Sequence, residues 1–280
     1  MIARMTGAAA RGLLVALVIA IPALLLPNID SDATQFTVLI ALVAAFLTFV
    51  EYNSVSPSIV EFRDAPPFNR LRFVALFGTV LFLTLVCRGK DDPTGFSELL
   101  TAVGVVLGDA IDFPFSPVRL VVLMMPDNAS YEVLQSVRTA AGISYTTSLM
   151  AMTAFIVLVR IMGWPTRKGA FNMWVNLPLF DPTTGGDVLH RLQRDARINI
   201  ALGFLLPFII PAVVKAAADL INPISLENPQ TLIWTMSAWA FLPASMIMRG
   251  IAMQRIAEMI EDQRRRAYAN AEADGRYLAA

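Results

Sequence analysis

Four side chains stand as candidates for acid–base chemistry between pH 4 and 8: Asp64, Asp181, Asp187 and His190. Together they offer a general acid–base set, but no pair among them has the spacing of a catalytic motif. His190 is the sole histidine and Cys87 the sole cysteine, so no internal disulfide can form. Haem carriage generally needs two axial ligands. His190 and Cys87 are expected on opposite sides of the molecule, so no cofactor and no metal centre is expected. His190 reads instead as a polar position on a surface helix. Asp109 and Asp112 lie one helical turn apart near Arg119. They can pair with that arginine, or bind a cation or a polar headgroup, although two carboxylates without a third ligand type make a poor cation loop. Gly185-Gly186 is embedded in neither GxxxxGK[ST] nor GxGxxG, so it is no phosphate loop. Asn128-Ala129-Ser130 matches a glycosylation sequon but reads first as a turn and N-cap before a helix from Tyr131.

A second chemistry is anion recognition by arginine. Arg63, Arg70 and Arg72 cluster in the segment EFRDAPPFNRLRF at 61–73, and Arg191, Arg194 and Arg197 in DVLHRLQRDARIN at 187–199. These six are the candidate lipid- or partner-binding residues. In the second segment Asp187 is positioned to cap a helix on which Leu189, Leu192 and Ala196 share one face. That pattern is a basic amphipathic helix, suited to an anionic leaflet where each basic residue contributes about 1 kcal/mol. A docking surface for a soluble partner is the alternative.

The elements that must position these residues are long apolar runs. The chain has 280 residues, 56% apolar and 16% charged, which is far from the roughly 25% charged residues of a soluble domain. A bilayer crossing takes about 20 mostly apolar residues. Six runs qualify: 8–27, 34–52, 71–87, 143–162, 198–214 and 231–248. The first resembles a signal peptide, with Ser31 and Ala33 as a weak cleavage site, but is read as an anchor. The fold class is therefore an all-α polytopic membrane protein with six transmembrane helices, forming a single domain. Residues 249–280 follow as a helical tail with an apolar stripe of Ala252, Met253, Ile256, Met259 and Ile260. Glu261–Arg265 and Asp262–Arg266 are spaced to pair along it.

Region 97–126 is the ambiguous one. Glu98, Thr101, Asp109 and Asp112 form a polar stripe at helical spacing on an otherwise apolar stretch, and 117–126 is apolar but too short to cross. It reads as an amphipathic or re-entrant helical hairpin, or as a seventh span. Basic residues decide between them. With six spans and both termini cytoplasmic, 17 of the 22 basic residues fall inside, leaving Arg88, Lys90, Arg119, Arg138 and Lys215 outside. A seventh span would export the basic 160–197 loop and the tail, against the positive-inside rule. The hairpin is thus expected on the outer side. Acids divide evenly, and the formal net charge is zero, so nucleic acid is not an expected partner.

Small residues mark expected internal contacts: Gly12, Ala16 and Ala20; Ser144, Thr147, Ser148 and Ala151; Ala240 and Ala244. Pro207 and Pro211 should bend the fifth span. Trp164 and Trp174 are expected at the inner interface, with Tyr145 and Trp234 at the outer one. Phe62, Phe68 and Phe73 are expected as interface anchors, Pro66-Pro67 as an extended path, and Glu61, Arg63 and Asp64 as a local charge cluster. The two irregular inner loops, 53–69 and 172–182, are expected to pack together as one cap.

The spans carry almost no mid-membrane charge: Arg11, Arg160 and Lys215 all lie near span ends. That favours a non-catalytic integral protein of the bacterial inner membrane: a scaffold, assembly factor or accessory subunit of a larger membrane complex, energy-transducing complexes included. Its expected partners are the bilayer, anionic headgroups and other membrane subunits. The arginine-over-lysine bias with abundant alanine underlies the bacterial reading. The alternatives are a transporter or channel, and thirdly a lipid-modifying enzyme using the four acid–base groups named above.

Overall fold

The computed structural model describes the chain except residues 1, 28–30, 166–170, 182, 184, 219–225 and 274–280, and the side chains of Ala218 and Ala273. Of the basic residues counted above, Arg167, Lys168 and Arg276 lie outside the described residues, as does Pro182 of the second loop. Among the described residues all regular structure is helical: α1 (Ile2–Leu25), α2 (Ser31–Asn53), α3 (Phe68–Arg88), α4 (Gly95–Ile111), α5 (Pro117–Leu123), α6 (Tyr131–Arg160), α7 (Met173–Asn176), α8 (Val188–Ala218) and α9 (Pro229–Ala273). Six of them, α1, α2, α3, α6, α8 and α9, are long and apolar enough to cross a membrane, and they are the six expected runs.

Three of these helices extend well past their apolar runs, for local reasons. α6 starts at Tyr131 because Ser130 caps it, its hydroxyl accepting from Val133 N at 3.3 Å. α8 starts at Val188 because Asp187 accepts from Leu189 N at 3.1 Å, and Leu192 and Ala196 then bury on the face expected of the amphipathic segment. α9 runs 45 residues without a break at Arg249, so the tail is a continuation of the last span. Its stripe of Ala252, Met253 and Ile256 is fully buried, now joined by Ala257, while Met259 and Ile260 are only partly covered.

α9 is the central helix, packed on α8, α6, α3 and α1, while α1 and α2 form a peripheral hairpin. Close backbone approach needs the absence of a side chain. A Cβ on Gly12 would stand 2.7 Å from Ala45 O, one on Gly203 2.6 Å from Pro243 O, and one on Gly250 2.7 Å from Ala196 O. Of the small-residue faces read from sequence, Gly12, Ser144, Ser148, Ala151, Ala240 and Ala244 are buried inside the bundle, with Ala16, Ala20 and Thr147 half-buried. α8 passes through Pro207 and Pro211 as one helix. Pro211 has no N–H to give the carbonyl of Pro207, and the indole of buried Trp239 donates to that oxygen instead, at 3.1 Å.

The core divides in two along the bundle axis. One cluster, around Val80, Val121, Ala141 and Met236, fills the half that carries α4 and α5. The other, around Phe62, Phe68, Trp164 and Met253, fills the opposite half under the two long loops. These ends are called the hairpin end and the cap end. In region 97–126 neither helix qualifies as a span: α4 turns at 112–116 into the short α5. A capping box between Thr94 and Ser97 starts α4, and Ser116 with Pro117 at the first helical position starts α5. α4 leaves Phe96, Leu99, Val103 and Val106 exposed, whereas Val118 and Val121 of α5 are buried against the bundle.

Candidate functional site

The cap end is where most nominated residues fall, and it is built from the end of α2 upward. Glu51, in the last turn of α2, turns its carboxylate onto the following loop and accepts from Ser58 N and Ile59 N at 2.9 Å and Val60 N at 3.1 Å. Arg63 closes the same turn from the other side. Its guanidinium donates to Glu51 O at 3.1 Å, Ser54 O at 2.8 Å and Val55 O at 3.3 Å. A helix C-terminus presents unsatisfied carbonyls and partial negative charge, and an arginine there answers both. With its side chain 7% exposed, Arg63 is engaged in closing this turn.

The loop then runs as successive turns, with Ala65 N donating to Phe62 O and a cis peptide at Pro66-Pro67, where the sequence suggested an extended path. Phe62 and Phe68 are buried and pack against each other at 4.5 Å between centroids. Trp164 and Phe155 complete the cluster, Trp164 at 5.6 Å from Phe62 and 5.1 Å from Phe155. The indole of Trp164 donates to Ala65 O at 3.0 Å. Interface anchoring was expected of Phe62, Phe68 and Trp164, but burying them in one cluster removes more apolar area from water than an interface does. Tyr145 is half-buried, stacked on Trp239 at 5.7 Å. Trp174 is exposed, Trp234 half-buried, and Phe73 stacks on Phe77.

The two irregular loops do pack together. Asn176 O accepts from Phe62 N at 2.7 Å and its side-chain Oδ1 accepts from Asp64 N at 2.9 Å, while Leu177 and Phe180 join the aromatic core. α9 is fastened beneath them. Arg249 forks onto Glu61, Nε to Oε2 at 2.5 Å and Nη2 to Oε1 at 2.7 Å. Glu61 is therefore taken out of the local cluster expected with Arg63 and Asp64, which keeps only the Arg63–Asp64 contact at 3.2 Å. A residue 188 positions away offers two parallel bonds in a buried site, a geometry that a neighbour two residues away cannot match.

The remaining candidate arginines divide by exposure. Arg72 is half-buried, donates to Ser245 Oγ at 3.3 Å and lies over the rings of Phe68 and Phe241. Arg191 lies over Phe180 at 4.8 Å. Arg70, Arg194 and Arg197 are exposed, with Arg194 beside Asp195 at 3.3 Å. The four acid–base groups are engaged locally. Asp64 meets Arg63, and Asp181 accepts from Thr183 N and Oγ1 in a turn. Asp187 caps α8 and takes Arg264 at 2.9 Å, and that guanidinium holds its carboxyl well below the ordinary 3.8, at about 2. His190 is exposed, 3.5 Å from Asp187. Pairing along the tail is also reshuffled: Arg265 meets Asp262 at 2.7 Å, one helical turn back, while the Arg264 side chain reaches off α9 to Asp187.

At the hairpin end Asp112 is the hub. Its side chain is 5% exposed and lies 2.7 Å from Arg138 Nε and 2.8 Å from Arg119 Nε. The second contact is off the N–H axis, so Oδ1 is attracted electrostatically without a hydrogen bond. Asp109 stands 3.7 Å from Arg138. Two arginines flank the carboxylates here, and the ion-pair reading of Asp109, Asp112 and Arg119 holds with Arg138 as an added partner. No group of three or more potential metal ligands occurs among the described residues. Lys215 ties α8 to this end through Met125 O at 3.2 Å and Asp127 at 3.3 Å.

The chain matches no protein-family model, no curated protein and no solved structure. Its function therefore has to be read from these two ends and the helix surfaces between them. Sequence reasoning missed Glu51, Asn176, Arg138 and the Glu61–Arg249 pair. The first two carry no periodic or motif signal, and the two arginines entered only the count of basic residues on each side.

Proposed function

We propose that this is a non-catalytic, multi-pass membrane protein that acts as a scaffold, assembly factor or accessory subunit. In this reading another membrane subunit docks on α2. The observation that carries it is the isolation of α2. Among the described residues α1 is the one helix in close backbone contact with α2, and the other bonds of α2 lie toward its two ends: Gln230 Nε2 to Thr37 Oγ1 at 3.2 Å, Tyr52 with Asn69 of α3, and the following loop with Glu51. Around it Phe36, Leu39, Leu42 and Phe46 are each at least 59% exposed. A helix that a bundle needs for its own stability buries a stripe of its surface. This one offers a broad apolar arc to whatever lies beside it in the membrane.

The orientation proposed with it puts the arginine-rich cap end on the cytoplasmic face of a bacterial inner membrane, with the α4–α5 hairpin dipping into the outer leaflet. The exposed Arg70, Arg194 and Arg197 then meet anionic headgroups, as the basic-residue count supports. A photo-crosslinking residue at Phe46 tests the docking surface in intact membranes, with one at Phe204 of α8 as the control, also well exposed. Docking predicts a discrete protein adduct from position 46 and lipid adducts from 204. Lipid adducts from both would end the proposal.

A second reading, a transporter, is favoured by one feature. A cavity of about 170 Å³ lies between α6, α8 and α9 beside Pro207, Pro243, Tyr145 and Ser148. Uptake or efflux by proteoliposomes that a Ser148→Phe change abolishes would support it.

A further inference from the structure

The hairpin end holds a cleft of about 720 Å³ bounded by the end of α3, the first half of α4 and the start of α6. Ligand sites have volumes of about 300–1,000 Å³. The cleft exists because α4 is tied to α3 at its start and to α6 only from Gly104 onward, where a Cβ would stand 2.6 Å from Ile143, and is lifted between them. A Cβ on Gly89 would stand 2.7 Å from Ser97, fixing the start of α4 to the end of α3. A Cβ on Gly142 would stand 2.5 Å from the backbone of Gly108, fixing the later half of α4 to α6. Between these ties the facing residues are small, Ala102 on α4 and Ala140 on α6, and do not fill the gap.

The walls and the rim differ in chemistry. Leu83, Val86, Cys87 and Leu232 form an apolar floor continuous with the buried core. Lys90, Glu98 and Glu132 carry the charge. Lys90 Nζ is held by Ser136 Oγ at 2.7 Å, and among the described residues no carboxylate lies within ion-pair distance of it. Glu98 and Glu132 are exposed in the first turns of α4 and α6. An apolar slot edged by one cation and two anions complements an amphiphile whose head carries both signs, with its own cation able to donate hydrogen bonds.

We propose that this cleft binds a phospholipid with a primary-ammonium zwitterionic headgroup, of the phosphatidylethanolamine type. Lys90 takes the phosphate, Glu98 and Glu132 take the ammonium, and the apolar floor takes part of an acyl chain. A carboxylate rim accepts hydrogen bonds from a primary ammonium, whereas a choline ammonium has none to give and an anionic glycerol headgroup is repelled.

The test uses the full chain in nanodiscs of equal parts phosphatidylethanolamine, phosphatidylcholine and phosphatidylglycerol. Lipids that survive delipidation are then counted by native mass spectrometry. Wild type should retain the ethanolamine lipid at least fivefold over the glycerol lipid, with the choline lipid between. Glu98→Gln with Glu132→Gln should bring that ratio to one or below, and Ala102→Phe should remove the retained lipid by filling the slot. Both Glu98 and Glu132 are exposed, so their substitution tests selectivity even where Ala102→Phe disturbs the fold. Equal retention of the three lipids in wild type, or a ratio unchanged in the double variant, would overturn the assignment. So would displacement of the lipid by soluble glycerophosphoethanolamine, which would assign the rim to a free headgroup.

Discussion

Replacing Glu61 by leucine leaves the Arg249 guanidinium without its two acceptors. The carboxylate is nearly buried, and both of its bonds are charge-assisted, at 2.5 and 2.7 Å. Removing one partner of a buried pair costs about 3–5 kcal/mol, because the other charge stays desolvated and unpaired. Arg249 retains some contact with solvent at 27% exposure, which places the expected loss at the lower limit, about 3 kcal/mol. Arg249→Met should cost a similar amount by stranding Glu61. The double variant Glu61→Leu/Arg249→Met removes both charges and leaves two apolar side chains at the edge of the Phe62 and Met253 cluster. It should therefore be less destabilised than either single change, with a coupling of about 2 kcal/mol or more. Equilibrium unfolding in mixed micelles, by titration of a denaturing detergent and followed by circular dichroism, measures all four proteins. Additive losses in the double variant, or a single Glu61→Leu loss under about 0.5 kcal/mol, would show that the pair does not fasten α9 to the loop.

Gly142→Val should force α4 off α6, because the added Cβ meets backbone of Gly108 and not a movable side chain; a loss of about 1–3 kcal/mol in the same titration is expected. Trp239→Phe leaves the Pro207 carbonyl without its donor and should cost about 1 kcal/mol, whereas Trp234→Phe, at a half-buried indole with no such bond among the described residues, should cost less. The Asp187 carboxyl sits at about 2, below its ordinary 3.8, so its link to Arg264 adds stability that is fully present above pH 4 and lost as pH falls toward 2. Hydrogen exchange over 258–273 should therefore speed up between pH 4 and 2 beyond its intrinsic change, and Asp187→Asn should remove that excess. Arg63→Gln should fray the end of α2 and raise exchange at 50–60 specifically, leaving the hairpin end unchanged.

The six membrane-length helices were legible because their signal is local. A run of about 20 apolar residues is a helix in lipid whatever surrounds it, since only a helix satisfies its own backbone there. Caps were legible for the same reason: Ser130 and Asp187 act on N–H groups within three residues. The pairing of the two loops could be guessed from their shared proline and aromatic content, but not its contacts. Nothing in the composition of 172–182 marks Asn176 as the residue that receives Phe62 N and Asp64 N.

Where the sequence reading placed side chains by proximity or by average habit, the fold moved them. Trp164, Phe62 and Phe68 have the composition of interface anchors, and the cap offered them a buried cluster instead. Glu61 had a partner two residues away and took one 188 residues away, because a forked guanidinium in a buried site outcompetes a solvated neighbour. The sequence by itself determined the helices, their caps and the concentration of arginine in particular loops, all set by interactions within a few residues. Only the tertiary structure decided which arginines are structural and which exposed, how α4 bridges a cleft, and that α2 stands apart. Those depend on which surfaces meet across the bundle, and no local pattern records that.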